Sequence, residues 1–207
     1  MGNSNYPPSI HLEDDIKKLT PLMRQFPFAT VISVHQGEIE VTQAPLVFQE
    51  VSGRIYLYGH LAGNNAHGDY LANANVTVIF HGPNCYISPN DYATKQLPTW
   101  NSLSVHIKGN CQTTKDPDEL YRILEMMADQ FEEDSPSDKP NYKIQRTEEK
   151  TARLILHITG FKIEVTEIIG RYKLSKDKTR EDIQLAGEKL KKSVPSCPNE
   201  VIDHLIQ

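Results

Sequence analysis

Cysteine is scarce in this chain of 207 residues: Cys85, Cys111 and Cys197 are odd in number, far apart and form no C-x-x-C pair. That speaks against a disulfide framework and for a reducing compartment, with thiols that serve as small buried apolar groups rather than nucleophiles. No apolar run approaches the length of a membrane span, and the opening "MGNSNYPPSIHLEDD" lacks the apolar core of a signal peptide. Gly2 invites a myristoylation reading, but Tyr6 stands where Ser or Thr is wanted. The expected location is the cytoplasm, with no membrane partner. The common catalytic motifs are missing too. There is no P-loop, no G-x-G-x-x-G after a strand, no H-E-x-x-H and no G-x-S-x-G. Their absence removes the usual nucleotide-hydrolase, Rossmann, zincin and α/β-hydrolase readings. Acidic residues outnumber basic ones 27 to 22, for a net charge of −5, which argues against a surface coated with nucleic acid.

What is present suits a globular protein. Hydrophobic content is 38% and charged content 24%, both ordinary. A chain this long buries about 70% of its unfolded surface and needs no staples. The periodicity predicts a first helix in "LEDDIKKLTPLMRQF", with Leu12, Ile16, Leu19, Met23 and Phe26 on one face and a kink or break at Pro21. "PFATVISVHQGEIEVTQAPLVF" reads as two strands turning at Gln36-Gly37, the second at an edge or bulged at Pro45. "GRIYLYGHLA", "VTVIF" and "TWNSLSVHIKGNCQTT" read as further strands. "GNNAHGDYLAN" opens a short helix with Asn64 or Asn65 near its N-cap. The clearest helix is "DPDELYRILEMMADQFEED", with Asp116 as N-cap, Pro117 at N1 and Glu119 closing a capping box. After the acidic loop "EEDSPSDKPN", the run "ARLILHITGFKIEVTEIIGRYKL" reads as one or two strands bent near Gly160 and ending at Gly170. "KTREDIQLAGEKLKKS" is a last helix, stopped by Pro195 and Pro198. The expectation is one antiparallel domain over 1–207, with an N-terminal helix and a helical tail.

Four stretches could carry chemistry. His60, His67, His81 and His106 are placed at strand ends or in loops, but no i, i+4 pair or carboxylate at ligand spacing accompanies them, so no metal site is expected. "GHLAGNN" ends a strand in glycine and amide side chains, which suits a phosphate at a helix start, although an ordinary N-cap is the simpler reading. "GRYKLSKDKTR" gathers Arg171, Lys173, Lys176, Lys178 and Arg180 around Ser175, as an anion site or as a solvated loop before the last helix. Finally, residues 80–101, "FHGPNCYISPNDYATKQLPTWN", form too long a connection for a turn and too aromatic a one for a linker. Tyr86, Tyr92 and Trp100 offer flat surfaces, and His81, Asn84, Asn90 and Asn101 offer hydrogen bonds. That connection is expected to cover a cleft or a subunit contact, with Trp100 and Asn101 at its inner end.

In order, "YPP", "PFATVIS", "GHLAGNN", "FHGPNCYISPNDY", "LPTWNSLSVHIKG", "GFKIEV" and "GRYKLSKDK" resemble the PaiB-like family of FMN-binding negative transcriptional regulators, over nearly the whole chain. The resemblance implies a mainly β fold with peripheral helices (α+β): an antiparallel split β-barrel of the pyridoxamine-phosphate-oxidase kind. It further implies a homodimer with FMN in the cleft between subunits. Carried over by position, Thr42, Gln43 and Ala44 would lie along the flavin ring. Tyr58, His60, Leu61, Asn64 and Asn65 would face the phosphate and ribityl chain. Trp100, Asn101, Lys173, Ser175 and Lys176 would close the site, from the same chain or from the partner. The chain departs from its relatives at three places. Gly63-Asn64-Asn65-Ala66 stands where the family has Arg-x-Asn-Pro, Lys176-Asp177 where Gln-Asn follows K-L-S, and Asp91-Tyr92 where Trp-Tyr is usual. The function implied is FMN-dependent regulation of transcription. Two alternatives stand beside it. One is a flavin-dependent oxidoreductase acting on a small molecule, with His60 and His106 as its only acid–base candidates. The other is a flavin-free DNA-binding repressor resting on the C-terminal basic stretch, for which no helix-turn-helix is visible.

Overall fold

The computed structural model describes residues 7–133, 139–195, 197, 202 and 203. The "YPP" start at Tyr6, residues 134–138 of the acidic proline-broken loop and Pro198 lie outside the described residues. In chain order the elements are β1 (Leu12–Glu13), α1 (Ile16–Gln25), β2 (Phe28–His35), β3 (Glu38–Pro45), β4 (Val47–Val51) and β5 (Arg54–Ala62). They continue as α2 (His67–Tyr70), β6 (Asn75–Ile87), β7 (Thr99–Thr114), α3 (Pro117–Glu133), α4 (Glu149–Ile155), β8 (Ile158–Lys173) and α5 (Arg180–Ser193). The strands form one antiparallel eight-stranded sheet in the order β3-β2-β6-β7-β8-β5-β4, with β1 added along β8. No helix among the described residues is long and apolar enough to cross a membrane.

Two tight hairpins follow from backbone that only a few residue types adopt comfortably. Gln36 and Gly37 sit at φ 53° and 90°, and Ser52 and Gly53 at 53° and 76°. Successive positive φ values twist a two-residue turn in the sense that matches antiparallel strands. The first turn pairs His35 with Glu38 and sets the register as far as Phe28 against Pro45. The second pairs Val51 with Arg54. The strand expected to run through "PLVF" is instead cut at Pro45. β3 stands at one end of the strand order and β4 at the other. Proline has no N–H to extend the ladder, and the Leu46 N–H turns back to the Pro27 carbonyl at 2.9 Å.

Contacts divide the chain into two compact units: 1–26, 79–106 and 168–207 in the first, and 27–78 and 107–167 in the second. In the first unit α1 is a single helix that keeps Pro21 in its interior, and Leu19, Leu22 and Met23 are buried. Leu12 does not join that apolar face. It belongs to β1, opposite Arg171 of β8. In the second unit α3 lays Ile123 and Met127 on Val47 of β4, with Tyr58, Met126 and Phe131 around them.

Several boundaries differ from the sequence expectation. "FHGPNCYI" is strand, because β6 runs on to Ile87, so the aromatic connection shrinks to residues 88–98. Its inner end, Trp100 and Asn101, is already part of β7. "EKTARLI" is helix α4, and β8 runs past Gly170 to Lys173. The capping box of α3 is only half made. Asp116 accepts from Glu119 N–H at 3.0 Å, but the Asp116 N–H goes to the Thr114 hydroxyl at 3.1 Å. α2 is capped at Ala66, while Asn65 accepts from His67 N–H. His60, His81 and His106 lie within strands rather than at their ends.

Candidate functional site

In the second unit, the start of α2 is fastened to the β2–β3 hairpin by a buried polar cluster. His67 Nδ1 lies 2.7 Å from Thr42 Oγ1, and Nε2 lies 3.0 Å from Ser33 Oγ. Asn65 accepts from the His67 N–H at 3.0 Å, and its amide reaches Thr42 Oγ1 at 3.5 Å. Strand alternation explains the meeting. Ser33 and Thr42 point inward from neighbouring strands, and α2 closes over them. Tyr70, on the last turn of α2, stacks on His35 with ring centroids 4.0 Å apart and nearly parallel planes. Burial holds the His67 imidazole below its ordinary pKa, against the smaller opposing pull of Glu40.

Gly63 is tied into the same turn. Its N–H donates to the His157 carbonyl at 2.7 Å, and a Cβ at this position would come within 2.9 Å of that oxygen. A larger residue such as arginine has no room here without backbone movement.

Along β5, Leu57, Gly59 and Leu61 turn to the core, and Tyr58 and His60 turn the other way, toward α3 and α4. His60 borders an apolar cavity with Leu124, Ile144 and Ile155. Its Nδ1 is buried without a partner, and burial lowers its pKa. Ala44 is buried, Thr42 is half-buried, and Gln43 and Asn64 are exposed.

In the first unit a second polar cluster ties the connection after β6 to the end of β8. Tyr92 OH lies 2.8 Å from Ser175 Oγ, which donates to Asn101 Oδ1 at 3.0 Å. All three residues are buried, and the Asn101 amide nitrogen has no partner among the described residues. Ser175 holds φ at 58°, a left-handed turn uncommon outside glycine and asparagine. Asp182 anchors the same connection. It accepts from the N–H groups of Ala93 and Thr94 and from the Thr94 hydroxyl, which together hold its carboxyl below the usual range.

Beside this cluster is a cavity of about 280 Å³ lined by Thr99, Lys173, Ser175, Asp177 and Lys178. Lys173 Nζ donates to Thr99 Oγ1 at 2.8 Å, and Lys178 pairs with Asp177 at 2.7 Å. Lys176 is half-buried. Trp100 and Tyr86 stand at the surface with ring centroids 6.4 Å apart, and the indole N–H donates to Asn84 Oδ1 at 3.2 Å. Between them and His106 runs a trough of about 330 Å³ floored by Gly82 and Leu103. Burial, then the neighbouring Arg171 and His81, bring the His106 pKa down to about 4. All three thiols are buried, and burial raises Cys111 to about 12, which makes it inert as a nucleophile.

The site residues named from sequence thus fall into two sets. Thr42, Gln43, Ala44, Tyr58, His60, Leu61, Asn64 and Asn65 are in the second unit. Trp100, Asn101, Lys173, Ser175 and Lys176 are in the first. Thr42 joins Asn65, and Asn101 joins Ser175. His67 was named, but not with Ser33 and Thr42 as its partners. Asp182 went unnoticed as the anchor of the aromatic connection. Its one local signal is its place two residues after Arg180 at the start of a helix, where a carboxylate also suits the helix dipole.

The family described as "Putative FMN-binding domain" matches residues 5–167. That span takes in the whole second unit but stops short of Lys173, Ser175 and Lys176. A curated relative, protease synthase and sporulation protein PAI 2 of Bacillus subtilis, is 32% identical over 190 residues, covering 89% of this chain and 88% of its own. Among solved structures, the FAD and heme binding protein of Mycobacterium smegmatis aligns with TM-score 0.61 and 16% identity, over 84% of this chain and 79% of that one. The flavocytochrome Anf3 of Azotobacter vinelandii aligns with TM-score 0.52 and 14% identity, over 78% and 69%. The antiparallel eight-stranded sheet with peripheral helices and the match across most of its length make this chain a member of the PaiB-like family of FMN-binding split-barrel proteins.

Proposed function

We propose that the chain binds FMN as a homodimer and acts as a negative transcriptional regulator of the PaiB type. The observation that carries this reading is the outer face of the β2–β3 hairpin. Phe28, Val34, Ile39 and Val41 are 56%, 63%, 70% and 56% exposed. The register sets Val34 opposite Ile39 and Ile32 opposite Val41, so these four side chains form one apolar patch, with Phe28 beyond the polar pair Thr30 and Gln43. Such a patch is costly in water and suits burial against a second copy. It lies on the strand that carries Thr42, Gln43 and Ala44, so a second copy seated there adjoins the segment assigned to the flavin ring.

The residues present fit FMN in part from each set. β3 ends the strand order, so among the described residues one of its edges has backbone N–H and C=O groups with no strand partner, as the polar edge of a flavin ring requires. Ala44 and Leu61 are buried and would offer only main-chain groups. Residues 58–65 contain no lysine or arginine, so the phosphate charge needs a cation from elsewhere. Lys173 and Lys176 of a second copy meet that need, beside the hydroxyl of Ser175. Bound flavin supplies reversible one- and two-electron chemistry. The chain binds, orients and shields it.

Ile39→Lys tests the reading. Sedimentation of the wild type should give a dimer and the variant a monomer, with FMN affinity falling by at least about tenfold. A monomer that binds FMN as tightly as the wild type overturns the dimeric site. For regulation, retardation of the cognate promoter fragment should weaken as salt rises. No retardation at low salt, with or without FMN, removes the regulatory role and leaves flavin binding standing.

A further inference from the structure

A cavity of about 340 Å³ opens in the second unit between α3 and the strands β5, β7 and β8. We propose that it binds a small organic anion with an apolar body, of the size and chemistry of an aryl carboxylate. The inference makes this a site separate from the flavin's, although Tyr58 borders it.

One glycine sets how closely α3 approaches the sheet beside the cavity. A Cβ on Gly160 of β8 would come within 2.7 Å of Leu120 and 2.9 Å of Ile123, so α3 rests directly on the strand there. Two residues on, the same face of β8 presents Lys162, opposite Tyr58 of β5. A long side chain follows an absent one, and the gap between helix and sheet opens at that step. Lys162 leans so that its Nζ lies 5.7 Å from the centre of the Tyr56 ring. Arg122 of α3 borders the cavity with Met126, one turn further along the helix.

The lining therefore has two kinds of wall. Ile123 and Met126 are apolar. Arg122, Lys162, the Tyr58 phenol and the Thr114 hydroxyl are donors. Among the described residues neither Arg122 nor Lys162 forms an ion pair, in a chain with more acids than bases. Glu119 at the rim offsets one of the two charges, which leaves the cavity suited to a monoanion. A carboxylate can take the planar fork of Arg122 while its apolar body covers Ile123 and Met126.

The test is calorimetric titration of the full chain with 4-phenylbutyrate, and with 4-phenyl-1-butanol as its uncharged counterpart. A ligand this small should bind with Kd on the order of 0.1–1 mM. The alcohol, Arg122→Met and Lys162→Met should each weaken binding by about tenfold. Lys108→Met, which removes a charge paired with Glu167 elsewhere on the unit, should leave it unchanged. Circular dichroism of each variant verifies the fold, and Arg122, being exposed, is the safer change. Equal binding of alcohol and carboxylate, no binding of the carboxylate, or no loss in either variant overturns the proposal. So does one-for-one displacement of the probe by FMN, because Tyr58 would then belong to a single flavin site. Simultaneous binding of FMN and the probe supports a separate site.

Discussion

Tyr92 and Ser175, 83 residues apart, meet at 2.8 Å between their hydroxyl oxygens in the buried interior of the first unit. The contact fastens the aromatic connection after β6 to the turn that ends β8. It also uses the Ser175 hydroxyl on both sides, since Ser175 donates to Asn101. Removing one partner leaves buried polar groups without bonds, which is costlier than never having had them. Ser175→Ala should lower stability by about 1–3 kcal/mol, and Tyr92→Phe by about 1–2 kcal/mol. Urea unfolding measures both. If the double variant loses no more than the worse single, the two residues act as one unit.

The Gly63 turn gives a second expectation. Gly63→Ala should destabilise by about 1–3 kcal/mol, because the added methyl meets the His157 carbonyl and the backbone must move. Gly63→Arg should cost at least as much. A neutral or stabilising Gly63→Arg would show that the loop near His157 yields freely.

Protonation of buried and half-buried imidazoles should make stability depend on pH. His106 titrates near 4 in the folded chain and near 6.5 when unfolded, so between those values the unfolded state holds more protons. Its contribution is complete above about pH 6.5 and is lost as pH falls toward 4, on the order of 1–3 kcal/mol. His60 and His67 are lowered by burial as well and act in the same direction. Comparing urea midpoints at pH 7.5 and pH 5 for wild type and His106→Asn checks this. The variant should show the smaller drop.

The buried cluster of the second unit should control α2. Thr42→Val keeps the shape but removes the hydroxyl that meets both His67 and Asn65. Hydrogen exchange of the α2 amides should speed up, with a global loss of about 1–3 kcal/mol. Unchanged exchange would mean that the stack of His35 on Tyr70 holds the helix alone.

How much of this was legible in the sequence depends on the range of the interactions. Local signals read correctly. Gln36-Gly37 turns the first hairpin, "TWNSLSVHIKGNCQTT" is a strand from end to end, and "KTREDIQLAGEKLKKS" holds the last helix. Misreadings arose where tertiary pairing outweighed composition. Gly82 and Pro83 suggest a loop, yet β6 continues through them, because Leu22 and Leu103 lie against Gly82 and leave space for no side chain. "ARLI" is apolar enough for a strand, but follows Glu149 as a short helix whose Ile155 packs on Leu120 and Tyr121. The site residues follow the same division. Motifs gave their names, while the long-range bonds between them span 23 to 83 positions and leave no trace in local spacing.

The most direct measurement of the central claim uses Trp100, the only tryptophan in the chain, which is 52% exposed on β7. FMN is titrated into the protein while Trp100 emission, flavin emission and the visible flavin spectrum are followed together. The expected result is saturable quenching of both emissions with a shift of the flavin bands, and weaker binding for riboflavin, which lacks the phosphate. No spectral shift and no quenching at high micromolar FMN would contradict the flavin site in this chain.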